Sequence, residues 1–137
     1  MIIKYFILNR LIDKFYKNIF GGGIYIMEVK VIKSNKAKVF MDGPEVCREY
    51  IKTNKITFGT SSLLPGQTGG IDPGHANSHE IFYVSRGEVL MHTPSDGKYY
   101  QLEEGDIIII PEGIPHQLTN IGTQKAIITW SCTPSPE

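Results

Sequence analysis

Two stretches of sequence set the expected architecture: HANSHEIFYVSRG at residues 75–87 and GDIIIIPEGIPHQLTN at residues 105–120. The first places two histidines close to Glu80, just before a run of β-branched and aromatic residues that is typical of a strand. The second places His116 behind a Pro-x-Gly turn. Neutral imidazole and ionised carboxylate are ligands of divalent metal ions. The clustering of these side chains therefore predicts a metal site.

Length and composition indicate one domain without a strong net charge. A chain of 137 residues can bury enough apolar surface to fold without disulfides. Its 14 basic residues balance its 14 acidic residues, so we expect no nucleic acid partner. The two cysteines, Cys47 and Cys132, are far apart and match no zinc-ribbon or redox motif. We expect them to be small buried residues or simply exposed, in a reducing cytoplasm.

The N-terminal extension, residues 1–26, differs in character from the rest. Apolar residues recur there at helical spacing with basic residues opposite them, which predicts an amphipathic helix. Its apolar run is too short for a membrane span or a secretory signal, although an interfacial membrane helix remains an alternative. A translated leader is another, because the glycines at 21–23 could be encoded by a ribosome-binding sequence ahead of Met27. In either case residues 27–137 form the main domain.

Short strands separated by Gly and Pro turns are predicted along the main domain, and no helical pattern follows residue 52. Residues 28–33 alternate well enough for a first strand at a sheet edge. Residues 44–52 read as a short helical turn or a loop. The run of four isoleucines at 107–110 predicts a strand that is buried on both faces. This spacing of strands indicates an antiparallel sandwich or barrel.

The second stretch resembles the second motif of the cupin superfamily, G-x5-P-x-G-x2-H-x3-N, at every position from Gly105 to Asn120. Glu80, six further residues and Gly87 resemble the end of the first cupin motif. The resemblance implies an all-β double-stranded β-helix, a jelly-roll-like barrel with a short N-terminal helical extension. It also implies a homodimer, because small cupins commonly pair through edge strands.

The resemblance also implies a set of metal ligands. Cupins commonly carry H-x-H three or four residues before the glutamate, which makes His75 the second histidine and places Pro73 where the first would be. The expected ligands are then His75, Glu80 and His116, with His79 as a less certain substitute. Neighbouring residues of a regular strand face opposite sides, so His79 joins Glu80 only if the strand starts at Glu80 or a bulge intervenes. Otherwise His79 is a surface residue.

Other interpretations of these side chains stay open. Glu80 could be a rim residue paired with an arginine, and His116 could be a packed core residue. His92 matches no motif and is expected to be structural. The cavity is expected to be lined by large or polar side chains near the barrel mouth, with Trp130 as the best candidate for its wall: Arg48, Phe82, Tyr99 or Tyr100, Gln117 and Trp130.

The resemblance implies a small metal-binding cupin that acts on a small polar molecule, either a sugar derivative or a carboxylic acid. Dioxygenation, isomerisation and decarboxylation all fit, with a divalent Fe, Mn, Ni or Zn ion as cofactor. The alternative is a non-catalytic small-molecule-binding module with a degenerate metal site. A third hypothesis is a storage or regulatory scaffold tethered through the N-terminal helix. A fold of this kind does not define its substrate.

Overall fold

The computed structural model describes residues 29–137, so the predictions for residues 1–26 lie outside the described part of the chain. The compact unit is Ile32–Glu137. It starts with a 3-10 helix, Ser34–Lys36, and continues through nine strands. These are β1 (Lys38–Asp42), β2 (Glu45–Lys52), β3 (Thr57–Leu63), β4 (His79–Arg86), β5 (Glu88–Thr93), β6 (Lys98–Glu103), β7 (Ile107–Ile110), β8 (Gln117–Asn120) and β9 (Ala126–Thr133). The described residues contain no helix long and apolar enough to cross a membrane.

The strands form two antiparallel sheets around one core. The larger sheet has the order β1-β2-β3-β9-β4-β7, and the smaller one has the order β6-β5-β8. Alternate residues of each central strand face inward, and those of both sheets meet in one apolar cluster. Its members are Leu63, Phe82, Val84, Val89, Met91, Leu102, Ile110, Leu118, Ala126 and Ile128. The all-β prediction is confirmed.

Asn120 closes the end of β8 against the larger sheet. Its side chain is completely buried, and its Nδ2 donates hydrogen bonds to the carbonyls of Leu63 at 2.9 Å and Gln124 at 2.7 Å. Its Oδ1 accepts a hydrogen bond from the backbone N–H of Gly122 at 2.9 Å. One amide therefore satisfies three backbone groups that a loop crossing between sheets would otherwise leave unpaired.

Two predictions about the first part of the domain were wrong. Residues 29–33 form no strand, and the first strand begins only at Lys38. Residues 44–52, predicted as a helical turn or loop, include the eight-residue strand β2, paired with both β1 and β3. Gly43 has φ +59°, which allows a tight hairpin turn between β1 and β2. The charged residues of β2 and a bulge near its end hide the strand periodicity in the sequence.

The isoleucine run is also placed differently from the prediction. Strand β7 lies at the edge of the larger sheet and pairs with β4. Ile110 is buried, but Ile107 is 59% exposed and Ile109 is 60% exposed. An apolar run shows that a strand can be covered on both faces, but whether a second layer covers the outer face depends on the tertiary structure. Within the described residues nothing covers that face.

Candidate metal centre

Glu80 lies on β4 and faces the interior. Its Cα is paired with Cys132 of β9 on one side and with Ile110 of β7 on the other, and the residue is 6% exposed. The strand starts one residue earlier, at His79, with no bulge between the two. His79 is therefore exposed on the opposite face. The structure does not bring His79 to the cavity, and the proposed substitution of His79 for a missing ligand is not supported by this geometry.

His116 is oriented by the turn before β8. Its Nδ1 lies 2.9 Å from the carbonyl oxygen of Ile114, which can only accept, so Nδ1 carries the proton. The neutral ring then presents an unprotonated Nε2, and this atom lies 3.3 Å from Oε2 of Glu80. A histidine held in this tautomer by a backbone carbonyl is the usual arrangement of a metal-binding histidine.

His75 lies in the loop before β4, and this loop packs directly on the turn of the second motif. The carbonyl of His75 accepts a hydrogen bond from the N–H of Gly113 at 2.9 Å. Gly74 has φ +82°, and a Cβ there would lie 2.7 Å from the backbone nitrogen of Ile114. The close backbone contact holds Nε2 of His75 at 3.6 Å from Oε2 of Glu80. Two segments far apart in sequence thus present their imidazoles to one carboxylate.

Oε2 of Glu80 is the key atom of this arrangement. It is buried, and although two imidazole nitrogens lie within 3.6 Å, neither gives it a hydrogen bond of acceptable geometry. Burial lowers the pKa of His116, but the Glu80 carboxylate and the Ile114 carbonyl raise it, and the net pKa lies above the ordinary value. A buried carboxylate beside two imidazole nitrogens requires a proton or a cation between them. This donor set fits a divalent metal ion.

Among the residues that the structure describes, potential ligand atoms form two overlapping clusters, each with all its atoms within 4.8 Å of one another. One consists of His75, Glu80 and Cys132, and the other of Asp72, Glu80 and His116. All three residues expected as ligands therefore lie together, but the two histidines belong to different clusters that share Glu80. Asp72 and Cys132 were not predicted from the sequence. Cys132 joins the site through the pairing of β9 with β4, for which the sequence offers no local signal.

Asp72 is held in the site by the backbone. It forms an isolated bridge with His116, in which each N–H donates to the other residue's carbonyl at 2.9 Å. Its Oδ1 accepts a hydrogen bond from the N–H of Gly74 at 2.7 Å, and its Oδ2 lies 3.8 Å from Nε2 of His75. Pro73 stands where the motif would carry a histidine, and Asp72 precedes it. This adjacency is the one signal in the sequence that could have indicated Asp72 as a ligand.

The site opens into a cavity of about 160 Å³. Phe82, Gln117 and Trp130 line it, as predicted. The prediction for Tyr99, Tyr100 and Arg48 was wrong, because all three are exposed and lie outside the cavity wall. The complete lining is Phe40, Asp42, Glu45, Cys47, Thr57, Gly70, Asp72, His75, Glu80, Phe82, His116, Gln117, Leu118, Trp130, Cys132 and Pro136.

Glu45 adds a second buried carboxyl group to the cavity. It is 7% exposed, and burial, with a smaller contribution from the charge of Asp42, raises its pKa to about 7. A Cβ at Gly69 would lie 2.1 Å from its Oε2, so a larger residue there would force this carboxyl group to move. Glu45 was not predicted as a cavity residue because residues 44–52 were not predicted to form a strand. Within residues 29–137 the cavity lining contains four acidic residues and neither lysine nor arginine.

Both cysteines are buried free thiols that line the cavity. Burial is the main cause that raises the pKa of Cys47 and of Cys132 to about 12, and the charge of Glu80 contributes at Cys132. In the protein without a cation both thiols are therefore neutral at physiological pH. Of the two alternatives expected for the cysteines, a buried or an exposed position, the structure shows the buried one, and their position on the cavity wall was not foreseen.

The fold and the cavity define a double-stranded β-helix protein whose interior presents carboxylate, imidazole and thiol groups at one point. Residues 59–132 match the cupin domain family, and the chain belongs to this family. The resemblance found in the two motifs is thereby confirmed.

Three comparisons illustrate the relationship. The chain is 40% identical over 105 residues to an uncharacterised protein of Methanocaldococcus jannaschii, across 71% of this chain and 82% of that protein. It is similar, with a TM-score of 0.67 and 22% identity, to an uncharacterised protein with a double-stranded β-helix domain from Klebsiella pneumoniae, across 79% and 92% of the two chains. It is also similar to Fe(II) HppE, with a TM-score of 0.68 and 19% identity, across 81% and 63%. These structural likenesses confirm the double-stranded β-helix fold.

Proposed function

We propose that this protein is a metal-binding cupin that holds a divalent ion with Glu80, His116 and His75 and acts on a small polar molecule in the adjoining cavity. The observation that carries this proposal is the buried, unpartnered Oε2 of Glu80, with one imidazole Nε2 at 3.3 Å and another at 3.6 Å. The ligands permit Fe, Mn, Ni or Zn. The similarity to Fe(II) HppE supports the proposal in one respect, because it shows that a protein of this fold can hold an iron ion.

The side chains of the site have separate tasks under this proposal. The Ile114 carbonyl keeps the proton of His116 on Nδ1, so that Nε2 is available as a ligand. The ion would supply Lewis acidity or an open position for a ligand oxygen. Glu45, whose pKa is raised to about 7 by burial, can hold or release a proton at the cavity wall near neutral pH. This combination suits isomerisation or decarboxylation, and dioxygenation also remains compatible with the ligands.

Size and charge of the cavity restrict the substrate. A cavity of about 150 Å³ is known to hold benzene, so about 160 Å³ accommodates a molecule of roughly six to eight heavy atoms. Because its lining in the described part of the chain has four acidic residues and no lysine or arginine, the cavity attracts no free anion. A neutral sugar derivative of triose or tetrose size therefore fits directly, whereas a carboxylic acid requires the metal ion as its positive partner.

A non-catalytic binding module is the second candidate. Two observations support this candidate. Pro73 stands where the family motif carries a histidine, and His75 and His116 belong to different clusters of potential ligand atoms. A weakened site of this kind would retain the cavity and lose affinity for the ion. The buried free thiols are consistent with the reducing cytoplasm expected for either candidate.

Metal analysis distinguishes the two. Untagged protein is purified and its content of Fe, Mn, Ni, Zn and Co is measured before and after incubation with each ion. We expect about one ion per chain, lost in Glu80→Gln and His116→Gln and reduced in His75→Ala, because each substitution removes a donor atom. His79→Ala is the control, since its ring is exposed on the other face. Wild-type protein that takes up no ion under any of these conditions would support the binding module instead.

A further inference from the structure

Cys132 is placed against Glu80 by strand pairing. The two residues are direct Cα partners in the β4–β9 ladder, and both face the interior. Side chains directly opposite each other in a ladder have their Cβ atoms about 5 Å apart. The thiol is therefore held beside the Glu80 carboxylate by the backbone of the central sheet.

The sulfur also lies within the geometry of a coordination site. Sγ of Cys132 and the ligand atoms of His75 and Glu80 all lie within 4.8 Å of one another, so that small side-chain adjustments would bring all three within bonds of about 2.0–2.3 Å to one ion. Cys132 is 2% exposed, and the neighbouring Oε2 of Glu80 is buried without a hydrogen-bond partner. The unsatisfied carboxylate oxygen is an observation independent of the cysteine, and it points to a cation at this place.

We propose that Cys132 is itself a metal ligand and that it occupies, from strand β9, a coordination position of the ion bound by Glu80. The inference rests on the proposed metal-binding function and adds a sulfur donor to it. A thiolate shifts the preference of the site toward Zn²⁺, Fe²⁺ and Co²⁺ and away from Mn²⁺ and Mg²⁺, which prefer oxygen ligands. On binding, the thiol proton passes to solvent and a sulfur lone pair forms the bond to the ion, without a change of oxidation state.

Cys47 offers the internal comparison. It is also buried, free and part of the cavity lining, and it projects inward from β2. Among the described residues, however, it belongs to neither cluster of potential ligand atoms. If buried cysteines lined the cavity only as small apolar residues, the two positions would respond to substitution in the same way.

Cobalt provides the test. Metal-free wild-type protein, Cys132→Ser and Cys47→Ser are titrated with Co²⁺, and visible ligand-field bands and near-ultraviolet sulfur-to-cobalt charge-transfer absorption are recorded together. We expect both signals in wild type and in Cys47→Ser. Cys132→Ser is expected to lose the near-ultraviolet band and at least roughly tenfold in Zn²⁺ affinity, measured by competition with a chelator.

The outcomes separate the two proposals. Stoichiometric ligand-field bands without a charge-transfer band in wild type would overturn sulfur ligation and leave the metal site intact. No cobalt signal and no uptake at all would overturn the metal site and with it this inference. If Cys132→Ser does not fold, X-ray absorption at the zinc edge is measured on Zn-loaded Cys47→Ser, in which Cys132 is the remaining cysteine. A sulfur neighbour of zinc at about 2.3 Å is then attributable to Cys132. The absence of this sulfur neighbour refutes the proposal.

Discussion

Glu45 carries a pH-dependent cost to stability that a single substitution can remove. The side chain is 7% exposed, and burial raises its pKa from 4.5 to about 7. In Glu45→Gln the neutral amide has nearly the same shape as the protonated carboxyl group, so the cavity wall is preserved. We expect this variant to be more stable than wild type in alkaline solution and similar to wild type in mild acid.

The magnitude follows from the shift in pKa. Because the folded-state pKa is raised, the folded protein binds more protons than the unfolded chain between pH 4.5 and about 7, and its free energy of unfolding falls as pH rises through that window. The shift from 4.5 to about 7 is about 2.5 pH units, and at about 1.4 kcal/mol per unit the full cost is about 3.5 kcal/mol. It is complete above pH 7 and vanishes below pH 4.5.

The assay is urea unfolding of metal-free wild type, Glu45→Gln and Glu49→Gln at pH 5 and pH 8.5. Glu49→Gln is the matched control, because it removes the same charge from a less buried side chain of β2. The stability difference between Glu45→Gln and wild type should grow by up to about 3 kcal/mol in favour of the variant from pH 5 to pH 8.5. An equal difference at both pH values would falsify the assignment of a buried, protonated carboxyl group to Glu45.

Two further predictions concern the loop of the first motif and the outer face of the large sheet. Gly74→Ala should lower the free energy of unfolding by more than about 2 kcal/mol, because a Cβ there meets backbone at 2.7 Å and φ is +82°. Gly113→Ala, with φ +69° and open space around the Cβ, should cost only about 1 kcal/mol in urea unfolding, and equal losses would disprove the contact. If the homodimer implied by the family resemblance uses the exposed side chains of β7, Ile107→Lys combined with Ile109→Lys should give a monomer in light scattering. A dimer that persists would place the interface elsewhere.

The parts of the site that depend on local geometry could be predicted from the sequence. The glycines of the second motif have positive φ at Gly105 and Gly113, which only glycine adopts without strain. Alternation along β8 accounts for the burial of Leu118 and Asn120. By the same rule, His79 could join Glu80 only if the strand started at Glu80 or contained a bulge. The strand starts at His79, so this side chain faces outward.

The parts that depend on pairing between distant strands could not be predicted. Cys132 enters the site because β9 lies beside β4, and Glu45 enters the cavity because β2 is a strand whose inner face carries it. The exposure of Ile107 and Ile109 follows from the edge position of β7. None of these neighbours is close in sequence, and composition alone does not distinguish a covered sheet face from an open one.

The amino-acid sequence by itself determined the fold family, the strand that carries Glu80 and the turn that carries His116, because periodicity and glycine positions act within a few residues of the chain. The tertiary structure alone decided which side chains share the interior point: it brought in Asp72 and Cys132, left His79 outside and divided the two histidines between clusters that meet at Glu80. The physical reason is that a coordination site requires atoms within about 5 Å of one another. That proximity is set by sheet register and loop packing, which are properties of the folded chain as a whole.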